Sequence, residues 1–400
     1  MKLSTRGSPI LTLGDDSVQV YVQNQDRESS LPSISAAREL RRTRNVPAMV
    51  GERTMLEVGE LTAERGEHTF GYLEVASSRS GLQPDLPVHL VAGSEPGPTL
   101  LVQGAIHGEE VVGSVAILNF IENLDPADLW GNVIAVPVVN RAGMDLRTRV
   151  SEIDGKDIST LFPGDPEGSV SEQVAHTYFT EAIEQADVML DFHAGGRTAY
   201  ERYVLFSAEK DPENLTEIER RRRKLVVAFG LDRAAYFPPG TFDMDEGKVA
   251  IEEAGVAQIT LELGGGTGWF EHGEENVRDA ERGMWNTLKT MGMANGELDA
   301  DEPTCTVYEA GTVIWKPDVD GLFIREKTIG DELEEGDVYG RLVDPYTGEE
   351  LAEMTAPEEG IVIPSGQNWL TIGATSVGIL GRVDRVDDRR EMDFTLSFDE

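Results

Sequence analysis

Two histidines and two glutamates in this sequence stand where metal-dependent hydrolysis could be carried out. The first pair, His107 and Glu110, lies in the motif His-Gly-Glu-Glu, directly after an apolar run (99–106) that predicts a buried strand. Residues three apart point the same way if a helical turn starts there. Because histidine nitrogen and carboxylate oxygen are ordinary zinc ligands, His107 and Glu110 are candidate metal ligands.

The motif alone is not specific, because the chain contains it twice. The second copy, at 272–275, opens a charged helix, where acidic residues in the first turn favour the macrodipole without any metal. In α/β sheets, ligands bind outside the carboxyl ends of strands. Only the first copy has that context, so His272 and Glu275 are not expected to bind metal.

Two further candidates lie at or near the ends of predicted strands. His193 follows the apolar run 188–192, and Glu262 lies inside the strand-like run 257–263, where a carboxylate is costly unless it is paired or used. Asp191 is a candidate partner for His193, although strand alternation argues that it points away. The glycines after Glu262 lack the Lys-Ser/Thr of a phosphate loop, and no Gly-x-Ser-x-Gly elbow occurs.

Together these four residues suit one chemistry. Two His and one Glu leave zinc an open position for water, and the metal lowers the pKa of that water from about 15.7 towards 7. A nearby carboxylate can take the water's proton and pass it to a leaving amine. A fixed arginine can stabilise the oxyanion.

Composition narrows the possible partners. The chain has 400 residues with 35 Lys+Arg and 73 Asp+Glu, a formal net charge of −38, so neither nucleic acid nor an anionic membrane is an expected partner. The acidity is typical of adaptation to molar salt, where the Debye length falls to about 3 Å; recruitment of a basic partner is the alternative. A single cysteine excludes an internal disulfide. No signal-like or membrane-spanning apolar run occurs, and a cytoplasmic location is expected.

Strands and helices alternate between 99 and 291, which predicts an α/β fold with a mixed, mostly parallel sheet flanked by helices. From 303 to 382 the chain is rich in Gly, Val, Ile and Thr without a helical period, which predicts a small all-β domain. The predicted organisation is a polar N-terminal arm (1–50), a hydrolase domain (51–299), an all-β domain (300–383) and an acidic tail (384–400).

Five segments, in this order, resemble the succinylglutamate desuccinylase/aspartoacylase family, which is related to zinc carboxypeptidases. They are GAIHGEE (104–110), VPVVNRAG (136–143), TRVSEIDGKDISTLFPG (148–164), DFHAGG (191–196) and TLELGGG (260–266). Weaker similarity extends from about 51 to 381. The resemblance implies a zinc carboxypeptidase-like sheet, with the all-β domain flanking the active-site entrance.

The resemblance also implies roles for individual residues. His107, Glu110 and His193 would bind one Zn²⁺ per chain, and Glu262 would be the general base and acid. Arg149 falls where the family places a carbonyl-polarising arginine. The assigned substrate-binding residues are Asn140 and Arg147, and Arg147 is close enough to share the role of Arg149.

The sequence departs from the family in one informative place. The stretch before Phe-Pro-Gly commonly reads Asp/Asn-Leu-Asn-Arg, and the Asn-Arg pair helps to hold a substrate carboxylate. Here that pair is Ser159 and Thr160. Arginine grips a carboxylate bidentately and threonine cannot, so substrate preference is expected to have shifted. Arg197 and Arg202 are candidate substitutes.

The function predicted is hydrolysis of an amide bond in an N-acylated amino acid or related small amine. Its partner would be that small-molecule substrate, and a homo-oligomer is compatible with the sequence. A zinc carboxypeptidase acting on peptides is one alternative, although it needs a carboxylate anchor. A non-catalytic binding protein on the same fold is the other.

Overall fold

A computed structural model describes residues 55–75, 84–194, 201–207, 215–237, 251–265, 269–315, 319–327, 330–363, 370–371 and 376–398. The predicted N-terminal arm, 1–50, and Arg197 lie outside these residues.

The described strands and helices follow the predicted alternation. The strands are β1 (Met55–Val58), β2 (Leu61–Glu64), β3 (Glu67–Leu73), β4 (Leu86–Ala92), β5 (Glu95–Gln103), β6 (Trp130–Val136), β7 (Val188–His193), β8 (Glu201–Ser207), β9 (Arg233–Phe237), β10 (Ala257–Gly264), β11 (Thr304–Trp315), β12 (Gly321–Arg325), β13 (Glu332–Leu333), β14 (Val338–Val343), β15 (Glu350–Thr355), β16 (Gly360–Ile363), β17 (Leu370–Thr371) and β18 (Ser376–Asp388). The α-helices are α1 (Val112–Glu122), α2 (Arg141–Leu146), α3 (Val170–Glu181), α4 (Glu217–Ala228) and α5 (Trp269–Thr290).

One mixed sheet of twelve strands organises this part of the chain. Its order is β13-β16-β18-β11-β9-β8-β10-β7-β5-β6-β4-β3. The central strands β6, β5, β7 and β10 run parallel, whereas β8 pairs antiparallel with β10 and β4 antiparallel with β6. The predicted α/β fold with a mixed sheet is confirmed. Parallel central strands bring the carboxyl ends of β5, β7 and β10 to one edge, which is where the candidate site residues lie.

The two faces of the sheet carry separate cores. Alternation along β7 sends Met189, Asp191 and His193 to one face, here called the front face, and Leu190 and Phe192 to the back. The back-face core joins β7 to α1, α4 and α5, and the front-face core joins it to α3. Both faces of the central strands are covered, so β7 is buried along its whole length.

Helix α1 packs unusually close to the strand that carries His193. A Cβ at Gly113 would lie 2.3 Å from the Cβ of Phe192, so only glycine permits this approach. Apolar side chains of α1 at helical spacing, including Ala116, Ile117 and Phe120, complete the contact. This packing fixes the start of α1, and therefore the loop before it, against β7.

The small all-β region is confirmed, and it is continuous with the main sheet. Strand β11 pairs parallel with β9 and antiparallel with β18, so the twelve-stranded sheet extends into this region. Four other strands, β15-β14-β12-β17, form a second sheet around Phe323, Tyr339 and Leu342. The predicted boundary between 51–299 and 300–383 therefore falls within one sheet.

Residues 384–398 belong to the fold rather than to a separate tail. Strand β18 runs on to Asp388, and Leu396 is buried in the back-face core. Phe394 and Phe398 pack against that core, and the Arg221 guanidinium carbon lies 4.7 Å from the centre of the Phe398 ring. Residues 394, 396 and 398 are apolar at every second position, a pattern that indicates a half-buried segment. The prediction of an acidic tail rested on composition and did not use this pattern. Among the described residues, no helix is long and apolar enough to cross a bilayer.

Candidate metal centre and active site

The loop after β5 carries His107 and Glu110. The peptide N–H of Glu110 donates to the carbonyl of His107 at 3.0 Å, which closes one turn and turns both side chains the same way. Helix α1 itself begins only at Val112. The loop leaves β5 through Ala105, whose φ of +48° is rare for a non-glycine residue, and the Ala105 carbonyl accepts the Asn140 N–H at 2.9 Å.

The same loop is pressed against α2. A Cβ at Gly108 would lie 1.9 Å from the carbonyl carbon of Gly143, a distance that no side chain can occupy. Asn140 caps α2 and accepts the Gly143 N–H at 2.8 Å. The close approach of two backbones therefore fixes His107 relative to the segment that leads to Arg149.

Three buried side chains converge at the end of β5 and β7. His107 Nδ1 lies 3.1 Å from His193 Nδ1 and 3.2 Å from Glu110 Oε2, and His193 Nδ1 lies 3.0 Å from the same oxygen. The peptide N–H of Ala194 also donates to Glu110 Oε2 at 3.3 Å. Among the described residues this is a group that could hold a metal ion.

The spacing of the three atoms fits a cation. Zinc bonds of about 2.0–2.2 Å in a tetrahedron place neighbouring ligand atoms about 3.3 Å apart. The observed separations of 3.0, 3.1 and 3.2 Å are close to that figure. Two imidazole nitrogens and one carboxylate oxygen leave a fourth tetrahedral position for water or substrate.

Each histidine has a carboxylate behind it. His193 Nε2 lies 3.1 Å from Asp191 Oδ1, and His107 Nε2 lies 3.2 Å from Asp157 Oδ1. With the proton on Nε2, each ring presents the lone pair of Nδ1 to the common centre. The expectation that Asp191 points away from His193 was wrong, because residues two apart on a strand share a face.

Asp191 is itself held in a buried polar layer beneath the centre. It accepts from the side-chain amides of Gln103 at 2.6 Å and Gln258 at 3.4 Å. Together with Glu110 it raises the pKa of His193 well above the usual value, against the opposing effect of burial. Burial likewise works against ionised Glu110, but its hydrogen bonds to His107 and His193 hold the pKa of Glu110 below the usual range. Glu110 therefore stays ionised, as a metal ligand must.

Glu262 lies beside this centre on β10. The register pairs it with His193 of β7 on one side and with Tyr203 of β8 on the other. Residues paired in this way point to the same face of a sheet, so all three side chains lie on the front face. The side chain of Glu262 is partly exposed, whereas its neighbours in β10 are buried.

Arg149 approaches the centre from the loop after α2. Its Nε donates to Asp157 Oδ2 at 2.9 Å, and its Nη1 lies 3.9 Å from Glu110 Oε1. Its side chain is 52% exposed, so its terminal nitrogens can reach a ligand from solvent. Arg147 is exposed and ends α2 with a φ of +57°. The amide of Asn140 bonds the chain itself, donating to the Arg149 carbonyl at 3.3 Å.

Comparison with known proteins places these motifs in a family. A model of the succinylglutamate desuccinylase/aspartoacylase catalytic domain matches residues 96–291. An N-alpha-acetyl-L-2,4-diaminobutyric acid deacetylase from Halomonas elongata is 31% identical over 320 residues, which are 76% of this chain and 87% of that protein. The chain belongs to the succinylglutamate desuccinylase/aspartoacylase family. It is therefore an enzyme of the deacylase type, which hydrolyses carbon–nitrogen amide bonds.

Solved structures agree with this assignment. A product-bound structure of the ectoine utilization protein EutE (DoeB) from Ruegeria pomeroyi matches with a TM-score of 0.70 and 25% identity, covering 83% of this chain and all of that one. A succinylglutamate desuccinylase/aspartoacylase from Rhodobacter sphaeroides matches with a TM-score of 0.67 and 26% identity, covering 79% of this chain and 96% of that one.

The two residues that depart from the family pattern both bond the aspartate that precedes them. Ser159 and Thr160 lie in a short 3-10 helix, Ile158–Thr160, capped by Asp157. The Ser159 hydroxyl donates to Asp157 Oδ1 at 2.7 Å, and the Thr160 hydroxyl donates to the Asp157 carbonyl at 2.9 Å. The Ser159 hydroxyl oxygen also lies 3.3 Å from His107 Nε2, and neither residue supplies the cationic group that arginine would.

Arg202 does not fill that gap. It faces Leu263 across β8 and β10, which places it on the back of the sheet, opposite to Glu262. There its Nε donates to Asp279 Oδ2 at 2.8 Å and its Nη1 to Asp232 Oδ1 at 2.7 Å. The suggestion that Arg202 anchors a substrate in the site was therefore wrong.

Two residues near the centre are not singled out by any pattern in the sequence. Asp157 stands out there only as part of the altered family motif, although an aspartate two residues before Ser159 is a typical helix cap. Tyr203 stands in a strand-like run with no distinguishing pattern, and only the pairing of β8 with β10 brings it beside Glu262. The second His-Gly-Glu-Glu copy lies on α5, where His272 and Glu275 are about half exposed.

Proposed function

We propose that this enzyme is a zinc-dependent deacylase that hydrolyses the amide of a small N-acylated amino acid, with Nα-acetyl-2,4-diaminobutyrate as the first substrate to test. The observation that carries the proposal is the convergence of His107, Glu110 and His193 beside Glu262 at one strand edge. The deacetylase relative from Halomonas elongata supports the choice of substrate.

The proposed metal contributes in two ways. Zinc held by the three ligands would supply a Lewis acid that lowers the pKa of a bound water and polarises the substrate carbonyl. The carboxylates of Asp191 and Asp157 orient the two imidazoles, so the ligand atoms are in place before the ion arrives.

The chain's own residues would handle the proton and the charge. Glu262 takes the proton from the attacking water and delivers it to the leaving nitrogen, so the carboxylate is regenerated in each cycle. Arg149 donates hydrogen bonds to the carbonyl oxygen as negative charge develops on it. Asp157 fixes Nε of that guanidinium and leaves its terminal nitrogens directed towards the ligand set.

Substrate binding is proposed for the loop between α2 and the 3-10 helix. Arg147 would hold the carboxylate of the amino acid, since Thr160 occupies the position where the family commonly has arginine. The role proposed for Asn140 is indirect: its amide bonds Gly143 and the Arg149 carbonyl, and it thereby shapes the loop that carries both arginines.

The experiment compares acetate release from isomers that differ only in the acylated nitrogen. Zinc-loaded protein in molar KCl would be given Nα-acetyl- and Nγ-acetyl-2,4-diaminobutyrate, N-acetylaspartate, N-succinylglutamate and a short peptide with a free or an amidated C-terminus. We expect release from the Nα-acetyl compound and loss of that release in Glu262→Gln. Hydrolysis of the free peptide alone would overturn the proposal in favour of a carboxypeptidase. No turnover by protein shown to contain zinc would overturn it altogether.

A further inference from the structure

Asp157 touches both halves of the proposed catalytic apparatus. One carboxylate oxygen, Oδ1, lies 3.2 Å from His107 Nε2, and the other, Oδ2, accepts from Arg149 Nε at 2.9 Å. His107 is a proposed zinc ligand, and Arg149 is the proposed oxyanion donor. A single rigid group therefore spans the metal side and the oxyanion side of the site.

The position of Asp157 is itself fixed. It caps the 3-10 helix, where its Oδ1 accepts the Ser159 N–H at 3.1 Å and the Ser159 hydroxyl at 2.7 Å. Its side chain is only 19% exposed. Burial disfavours the charged carboxylate, but the hydrogen bond and charge of His107 and the charge of Arg149 hold the pKa of Asp157 below the usual range. The carboxylate is thus held by the cap of the 3-10 helix and shared between the imidazole and the guanidinium.

Arg149 needs such a support. Its side chain is half exposed, and among the described residues the next carboxylate oxygen, on Glu110, lies 3.9 Å from its Nη1. A long side chain in solvent loses rotamer freedom when it is fixed, and fixing it in advance removes that loss from the reaction step. The short bond from Nε to Asp157 provides this fixation.

We infer that Asp157 is a positioning residue that couples the metal ligand His107 to the oxyanion donor Arg149. The inference rests on the proposed function. It also gives Ser159 a role, because the Ser159 hydroxyl orients the shared carboxylate. Asp191 is the matched comparison, because it supports His193 as Asp157 supports His107, whereas the hydrogen bond of the Arg149 guanidinium goes to Asp157.

The test uses binding measurements that need no turnover. Zinc affinity would be measured by competition with a chelator, and the affinity of the zinc-loaded protein for methylphosphonate, a tetrahedral oxyanion, by calorimetry. Asp157→Asn keeps the size and the capping oxygen but loses the charge and one acceptor. We expect both Asp157→Asn and Asp191→Asn to weaken zinc binding by about 10–100-fold. Only Asp157→Asn should also weaken methylphosphonate binding, by about tenfold or more.

A double-mutant cycle decides whether Asp157 acts through the arginine. In an Arg149→Gln background, Asp157→Asn should cause little further loss of methylphosphonate affinity, because the group it positions is gone. Ser159→Ala, which leaves the carboxylate in place, should give a smaller loss in the same direction. Thermal unfolding of every variant identifies any that are misfolded.

Two results would overturn the inference. One is equal loss of methylphosphonate affinity in Asp157→Asn and Asp191→Asn, and the other is additive loss in Asp157→Asn and Arg149→Gln. If the coupling is observed but wild-type protein hydrolyses none of the N-acyl compounds, the coupling stands and the proposed function fails. If wild-type protein hydrolyses an N-acyl compound but the coupling is absent, the proposed function stands and the inference about Asp157 fails.

Discussion

Glu262 and His193 are register partners on the parallel strands β10 and β7, and both side chains point to the front face of the sheet. Neighbouring strands are about 4.8 Å apart, so a carboxylate at 262 stands one strand away from the ligand atom of His193. Glu262 is not among the three residues whose ligand atoms converge. The strand spacing thus holds the proposed base next to the proposed metal ligands without making it one of them.

This separation predicts the effect of Glu262→Gln. The substitution should leave zinc stoichiometry unchanged, because none of the three converging ligand atoms belongs to residue 262. It should lower kcat by about 10²–10⁴-fold, since the amide cannot take up a proton from water. Metal analysis and steady-state kinetics on the same preparation check both parts. A variant that loses zinc would instead make Glu262 a ligand.

The repeated motif offers a matched pair of ligand variants. His107→Ala should abolish stoichiometric zinc binding, because it removes one of three converging donors. His272→Ala, in the same four-residue motif, should retain zinc, because His272 is exposed on α5, where its Nδ1 lies 3.4 Å from Glu275 Oε2. Zinc content after dialysis measures the difference. Equal retention in both variants would remove His107 from the ligand set.

Local sequence patterns predict the strands and helices that carry the site residues. They do not predict the long-range contacts between those residues. The apolar run before His193 and the strand-like run around Glu262 predict strands, and the alternation of strands and helices between 99 and 291 predicts the mixed sheet, because burial imposes these periods on the sequence. The glycines of DFHAGG and TLELGGG mark the strand ends. The mixed sheet and the convergence of His107, Glu110 and His193 were predicted on this basis.

What could not be predicted depends on long-range pairing. Strand β11 joins β9, and β18 joins β11, which no local pattern specifies, so the all-β region was expected to be separate. Asp157 reaches His107 across fifty residues only through the geometry of two loops. The roles of Glu262, Arg149, Asn140 and Arg147 stay predictions, because position alone does not establish chemistry.

The charge of the chain predicts how its stability depends on salt. The formal net charge is −38, so the negative charges within one folded molecule repel each other and destabilise it at low ionic strength. The Debye length falls from about 10 Å at 0.1 M to about 3 Å at 1 M salt, so the melting temperature should rise steeply over this range of KCl and then level off. Thermal scans in KCl test this, with sucrose at equal osmolality as the uncharged control. A flat profile in KCl would contradict adaptation to salt.

The antiparallel pair β3–β4 supplies a pH prediction remote from the metal centre. His68 Nε2 and His89 Nδ1 lie 3.0 Å apart across these strands. Burial, together with the charge of His68, lowers the pKa of His89 from 6.5 to about 4. The native state therefore binds fewer protons at this site than the unfolded chain, so the contribution of His89 to stability is present above pH 6.5 and is lost as the pH falls through about 4.

Ring-proton NMR of histidine-labelled protein measures the effect directly. His89 should titrate near pH 4. In His68→Gln the pKa of His89 should rise, because the neighbouring charge is removed, but should stay below 6.5, because burial is the larger cause and remains. If His89 of the wild-type protein titrates at 6.5, the two rings are solvated in solution and the close contact across β3 and β4 does not persist.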